Sequence, residues 1–272
     1  MKTLETSWDN VSDWYDNLLE QDPNSFQKNV ILPNLLRIVD PKKGITIIDL
    51  ACGQGYFARA FSEKGAEVVG YDISREIIDL ALEHNKKTSG KAKFHVSPAN
   101  SIPFIQNNSV DVVTIILALQ NIENIQGVFA ECARVLKPGG KVVFVINHPA
   151  FRIPKNSSWG TAKAEDGKKE KKRDGKIVDA LSMYRRVNSY MSNDQIKIDM
   201  TPGEKNQDKK KFTVSFHRPL QSYFKILSKN NLAVTRLEEW ISHKKSQAGP
   251  HSAEEDRVRK EIPMFLCVEA VK

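Results

Sequence analysis

Between Ile47 and Arg59 the chain reads Ile47-Ile48-Asp49-Leu50-Ala51-Cys52-Gly53-Gln54-Gly55-Tyr56-Phe57-Ala58-Arg59. Apolar Ile45, Ile47 and Ile48 predict a buried strand, Gly53 and Gly55 a tight turn, and Tyr56 to Glu63 a helix. A strand that ends at two glycines and restarts as a helix lets a ligand lie against bare backbone, beside the N–H groups of the helix start. The stretch therefore reads as a cofactor loop.

Gly53 to Ala58 also fits G-x-G-x-x-G/A, a pattern that by itself is compatible with NAD, with FAD or with no nucleotide. Its neighbours narrow the choice. Asp49 stands at the strand end, where a carboxylate can face a cationic group such as an ammonium. Glu67-Val68-Val69-Gly70-Tyr71-Asp72 then supplies a second short strand ending in an acid, 17 residues after Gly55, and such an acid can accept both hydroxyls of a ribose. The ligand expected is a nucleoside carrying an amino-acid or phosphate tail.

These residues resemble the first motif, and the following acidic strand end, of class I S-adenosylmethionine-dependent methyltransferases of the broad small-molecule group, type 11-like. The similarity continues through Arg134-Val135-Leu136-Lys137-Pro138-Gly139-Gly140-Lys141-Val142-Val143, the turn into that family's fifth strand. It covers roughly residues 30 to 150. It implies an α/β, Rossmann-like fold: a seven-stranded, mostly parallel sheet with helices on both faces and an antiparallel last strand. A partly β lid or insertion follows the fifth strand. It further implies S-adenosylmethionine as donor, S-adenosylhomocysteine as product, and cofactor contacts from Tyr15, Asp49, Ala51, Cys52, Gly53, Gly55, Asp72, Ile73 and Leu117. In the adenine loop, Ser97 to Phe104, the family's usual acid aligns with Pro98, so Ala99 backbone and the Asn100 side chain are expected to serve the ring.

The rest of the chain is read around this core. Trp8, Val11 and Tyr15 share a helical face, which either seals the core or forms a flap over the cofactor. Ser25 to Val39 reads as a helix that Pro33 can kink or split. Ser74 is a plausible N-cap for a helix ending near Lys87. Lys93 to Val96, Ser109 to Ile116 and Lys141 to Ile146 read as strands, with a helix from Ile125 to Leu136. Asn156 to Gly160 reads as a turn, and lysine-rich Thr161 to Lys176 as a solvated loop or an RNA-binding tract. Tyr184 to Tyr190, Gln195 to Met200 and Lys211 to Arg218 read as strands, the last two pairing as a hairpin. A helix from Leu220 to Lys229 and strands at Leu232 to Trp240 and Met264 to Val271 close the chain, with charged Lys244 to Lys260 between those strands. The expected division is 1–148 for the N-terminal helices and cofactor core, 149–212 for the insertion, and 213–272 for the remaining sheet.

The 272 residues, 40% hydrophobic and 27% charged, describe one large globular α/β domain with an insertion. No window approaches a membrane span, and Met1 to Thr6 lacks the apolar run of a secretory signal, so a cytoplasmic setting is expected. Cys52, Cys132 and Cys267 lie far apart and read as packed thiols, and no grouping has metal-ligand spacing. A net charge of +8 is compatible with nucleic acid or an anionic substrate.

Methyl transfer from a sulfonium is an in-line displacement, which needs positioning first and a base only when the acceptor must lose a proton. His148, just after the fifth strand, and His217, at the end of the insertion, are the candidates for base or positioner, with Arg218 a candidate for an anionic substrate group. Equally, both histidines can satisfy loop backbone and Arg218 can bridge to an acid. Phe151, Trp159, Tyr184 and Tyr190 line the acceptor pocket or pack the lid. The leading function is methylation of oxygen, nitrogen or carbon on a small molecule, by a monomer or homodimer. RNA or protein methylation is second, and nicotinamide or flavin oxidoreduction third.

Overall fold

The computed structural model of the chain describes residues 22–163, 169–171, 177–179, 181–201, 204–206 and 210–272. Tyr15, Trp8 and the N-terminal helix expected around them lie outside the described residues.

Seven strands form the central sheet: β1 (Thr46–Leu50), β2 (Glu67–Asp72), β3 (Lys93–Val96), β4 (Val110–Ile116), β5 (Leu136–Asn147), and two from the end of the chain, Ala233–Trp240 and Phe265–Val271. From one edge the order is Ala233–Trp240, Phe265–Val271, β5, β4, β1, β2, β3. The first five run parallel, whereas Phe265–Val271 is antiparallel to both its neighbours. The sheet order therefore reverses between β1 and β4, the place where an open α/β sheet leaves a crevice at its carboxyl ends.

Helices cover both faces because successive strand residues point to opposite sides. Ile47, Val112, Val143 and Cys267 pack with the helices Leu32–Val39 and Tyr56–Glu63, while Ile48, Val113, Phe144 and Val268 pack with Ile125–Val135 and Leu220–Lys229. The central strands are buried on both sides, which is why β4 reads as a nearly unbroken apolar run, whereas the edge strands are largely exposed. Ser74 caps the helix Arg75–Asn85 as expected, its Oγ accepting from the Ile77 N–H at 3.2 Å. The segment before β1 splits at Pro33 into a π-helical turn, Gln27–Ile31, and the helix Leu32–Val39.

Three expectations are corrected. Helix Ile125–Val135 gives way directly to β5 at Leu136 rather than after the glycines: Val110 pairs with Leu136 and Val112 with Lys141, so Pro138-Gly139-Gly140 is bulged out of the ladder. Asn156 to Gly160 is no turn, and the residues after it no simple loop. Ser157–Lys163 is a strand, β6, paired antiparallel with Leu181–Val187, and Lys169–Lys171 pairs with Ile177–Asp179. The small polar residues of β6 read as turn-formers, but its partner strand decides its state. Gly160 lies opposite Tyr184, whose ring fills the place of a Cβ. Third, Ser252–Glu261 is a helix within the charged segment. Only Val258 is buried there, and ion pairs of Arg257 with Glu254 and Arg259 with Glu255 brace the exposed side, so no apolar stripe announces it. The expected hairpin is present between Asp194–Asp199 and Phe212–His217, and it spans the 212/213 division.

Candidate active site

The crevice is built by the turn after β1. Cys52 N–H donates to the Tyr71 carbonyl at 3.0 Å and Gly53 N–H to Asp72 Oδ2 at 2.9 Å, tying the turn to the end of β2. Ala51, Gly53 and Gly55 have φ of 52°, 58° and 79°, the left-handed region that glycine tolerates and alanine does not favour. Gly55 is required twice over, since a Cβ there would stand 2.5 Å from Phe94 Cζ. The helix Tyr56–Glu63 begins from this turn with no side chain capping its N–H groups.

A cavity of about 110 Å³ opens here, walled by Ala51, Gly53, Asp72 and Ile73 on one side and by Ile116, Leu117, Ala118 and Asn121 on the other, with Ile77 and Ile122 completing it. Leu117, another left-handed residue at φ 55°, is fixed by its N–H to the Val145 carbonyl at 2.7 Å, and Gln120 Nε2 donates to its own carbonyl at 2.5 Å. The second wall is thus pinned to β5.

Two carboxylates belong to this end of the sheet: Asp72 lines the cavity, and Asp49 is buried in β1 just before the turn. Asp72 Oδ2 accepts from Gly53 and Oδ1 from the Ser74 N–H at 3.0 Å. Asp49 is 1% exposed; its Oδ1 accepts from Thr114 Oγ1 at 2.6 Å, while buried Oδ2 has no hydrogen-bond partner. Burial pushes the Asp49 carboxyl up to about 7, with the nearby charge of Asp72 adding to the effect and the Thr114 bond opposing it.

Of the residues singled out in the sequence, Ala51, Gly53, Asp72, Ile73 and Leu117 meet around the cavity. Cys52 points away: its side chain is in the core, with Sγ where a Cβ of Gly70 would stand 2.8 Å off, and burial pushes its thiol upward. Ala99 is packed in the core and Asn100 is exposed beside Gly127, neither lining the cavity. Thr114 and Ile77 were missed. Thr114 is the single hydroxyl in the apolar run of β4 and lies opposite Asp49 in the β1–β4 register.

The three expected catalytic side chains are engaged with protein. His148, 4% exposed, has Nε2 2.7 Å from Glu239 Oε1, and its Nδ1 accepts from the Ala150 N–H at 3.2 Å. With both ring nitrogens used, it has none to offer as a base, and burial lowers its pKa against the pull of Glu239. His217 Nε2 lies 2.9 Å from the Tyr190 carbonyl. Since a carbonyl only accepts, Nε2 carries the proton and Nδ1 of the neutral ring is an acceptor. Arg218 donates to the carbonyls of Ile122 at 2.9 Å and Glu123 at 2.7 Å, clasping the turn that walls the cavity; it reaches backbone oxygens rather than the acid expected.

A family model for a methyltransferase domain matches residues 48–144, the span from β1 through β5 that carries this crevice. Over this span the chain resembles a methyltransferase domain. The crevice just described, at the carboxyl ends of β1, β2 and β4, lies within it. A ubiquinone biosynthesis O-methyltransferase of Aliivibrio fischeri is 31% identical over 140 residues, 50% of this chain and 58% of its own length. Another, of Thiobacillus denitrificans, is 34% identical over 128 residues, 45% of this chain and 55% of its own. The chain thus spans a little over half the length of the curated relatives it matches. The crystal structure of an S-adenosylmethionine-dependent methyltransferase from Mesorhizobium loti superposes with a TM-score of 0.64 at 21% identity, covering 91% of this chain and 100% of that one, so the two chains share a fold.

Proposed function

We propose that this chain is an S-adenosylmethionine-dependent methyltransferase acting on a small-molecule acceptor at oxygen, nitrogen or carbon. One observation carries the reading: Asp49 presents a buried, unpartnered carboxylate oxygen behind the Ala51–Gly55 turn. A buried carboxylate with a free oxygen is costly unless a cation meets it, and the amino-acid end of S-adenosylmethionine supplies one. Neither a nicotinamide nor a flavin dinucleotide carries an ammonium that can donate hydrogen bonds to it.

The donor brings a methyl group already activated by the sulfonium charge. Asp49 offers its free oxygen to the ammonium, and Thr114 holds that carboxylate in one orientation. Asp72, in the wall of the cavity, serves the ribose hydroxyls. Gly53, without a Cβ, admits the ligand to the backbone, and Ile73, Ile77 and Leu117 enclose its apolar faces. Arg218 and His148 act in this reading as positioning residues. His217 keeps Nδ1 as an acceptor on the strand packed against the Leu119–Asn121 turn, where Asn121 Nδ2 donates to the Val214 carbonyl at 2.9 Å, and it is the base the proposal retains for an acceptor that must lose a proton. The acceptor's proton otherwise leaves to water.

The three buried free thiols, Cys52, Cys132 and Cys267, support a reducing, cytoplasmic setting. Among the described residues no helix is long and apolar enough to cross a membrane.

Calorimetric titration with S-adenosylmethionine, S-adenosylhomocysteine, NAD and FAD tests the reading. Binding of the two sulfur nucleosides alone is expected; binding of NAD or FAD in their place would overturn it.

A further inference from the structure

A second depression, about 340 Å³, lies away from the Ala51–Gly55 turn, between the insertion and the helix Ser252–Glu261. Its apolar floor is Phe26, Met183, Val258 and Met264, and its polar groups come from Arg152, Arg259, Ser242 and Glu255. It also contains Trp159, one of the aromatics the sequence offers for an acceptor pocket or for lid packing. Met264 adjoins Phe265, which pairs with Asn147 at the carboxyl end of β5, so the depression opens on the same rim of the sheet as the crevice.

Its charge is uncompensated. Arg152 has no carboxylate within ion-pair distance among the described residues, and its Nε is buried without a hydrogen-bond partner. Its guanidinium lies over the Trp159 ring, 5.7 Å from the centroid, and that of Arg185 lies over the same ring at 5.2 Å. Arg185 is committed elsewhere, to the Phe151 carbonyl at 2.8 Å and Ser157 Oγ at 2.7 Å, so it fixes the wall. Arg259 is held only loosely by Glu255, at 3.8 Å. Of the other acids of this helix, Glu254 is occupied by the Met183 N–H and Arg257, and Asp256 by the Ser246 N–H. Burial first, and then the charges of Arg185 and Arg259, lower Arg152 to about 10. A half-buried guanidinium with a donor to spare, beside Arg185 and Arg259 and with the single carboxylate of Glu255 loosely shared with Arg259, favours an anion.

We propose that this depression binds a small molecule bearing an oxyanion on an apolar body, with Arg152 and Arg259 holding the oxyanion and Phe26, Met264 and Val258 receiving the body. The assignment of that ligand as the methyl acceptor rests on the function proposed above; the binding does not.

The test is calorimetry of the full chain with phenyl phosphate, benzoate and benzyl alcohol, each in wild type, Arg152→Gln and Arg259→Gln, alongside S-adenosylhomocysteine. At least one of the two anions is expected to bind wild type, and the stronger of them identifies the oxyanion as phosphate or carboxylate. Benzyl alcohol is expected to bind more weakly, and each variant to lose about tenfold or more in anion affinity while keeping S-adenosylhomocysteine affinity. Arg259→Gln carries the test should Arg152→Gln fail to fold. Failure of both anions to bind, equal binding of benzyl alcohol, or wild-type anion affinity in the folded variants would overturn the proposal. Failure of S-adenosylhomocysteine to bind wild type would count against the methyl-transfer reading instead.

Discussion

Thr114 Oγ1 donates to Asp49 Oδ1 at 2.6 Å across the β1–β4 ladder, and this one bond leaves the other carboxylate oxygen buried and unmatched. The pair fixes the direction in which Asp49 can act and offsets only part of the cost that burial places on its charge.

That cost predicts a pH dependence. The folded Asp49 carboxyl titrates at about 7, against about 3.9 in an unfolded chain. A raised carboxyl favours the protonated folded state, so its contribution to stability is full below the unfolded value and is lost as pH rises towards the folded one, by about 1.4 kcal/mol per unit at most. Asp49→Asn is expected to melt a few degrees higher than wild type at pH 8 without ligand, yet to bind S-adenosylhomocysteine more weakly. In wild type the same affinity is expected to fall as pH drops below about 7, as the carboxylate is neutralised. Thermal melts and calorimetry from pH 6 to 8.5 check both signs; a variant that is less stable and binds unchanged would refute the assignment.

Asp72 is tied to two backbone N–H groups, so its removal has two effects. Asp72→Ala strands both donors, at a cost of about 1–3 kcal/mol each where water cannot reach them, and removes the ribose acceptor. Cofactor affinity is expected to fall by more than about tenfold. Asp72→Asn, which keeps one acceptor oxygen, is expected to recover part of the stability. Calorimetry showing unchanged affinity in Asp72→Ala would contradict the ribose role.

Gly55 and Gly139 share a positive φ but differ in space: a Cβ at Gly55 meets Phe94, and one at Gly139 meets nothing within 4 Å. Gly139→Ala is expected to cost only backbone strain, about 1 kcal/mol. Gly55→Ala adds a steric clash in the core and is expected to cost about 1–3 kcal/mol more. Urea denaturation of the two variants separates the terms, and equal losses would show that Phe94 yields freely.

Arg218 reaches over to the turn it clasps, bonding Ile122 and Glu123 from far along the chain. Arg218→Ala is expected to raise hydrogen exchange at Leu119 to Glu123 and to weaken cofactor binding several-fold, because Ala118 and Asn121 wall the cavity. Unchanged exchange there would argue for a direct role with the substrate.

What the sequence determined by itself is the frame of the site. Left-handed turns at Gly53 and Gly55 and an acid at each of two strand ends are local demands of backbone and burial, legible wherever a few adjacent residues leave no alternative. Alternating strands and helices then led to the parallel sheet. Only the tertiary structure decided which polar atoms remain free. His148 lies 91 positions from Glu239, and their bond removes it from consideration as a base. Thr114 lies 65 positions from Asp49, and their bond selects the oxygen left for a ligand. Trp159 gains two guanidinium groups only when β6 finds its partner strand. A side chain's availability depends on partners brought from distant segments, and no local pattern records which of its atoms they will occupy.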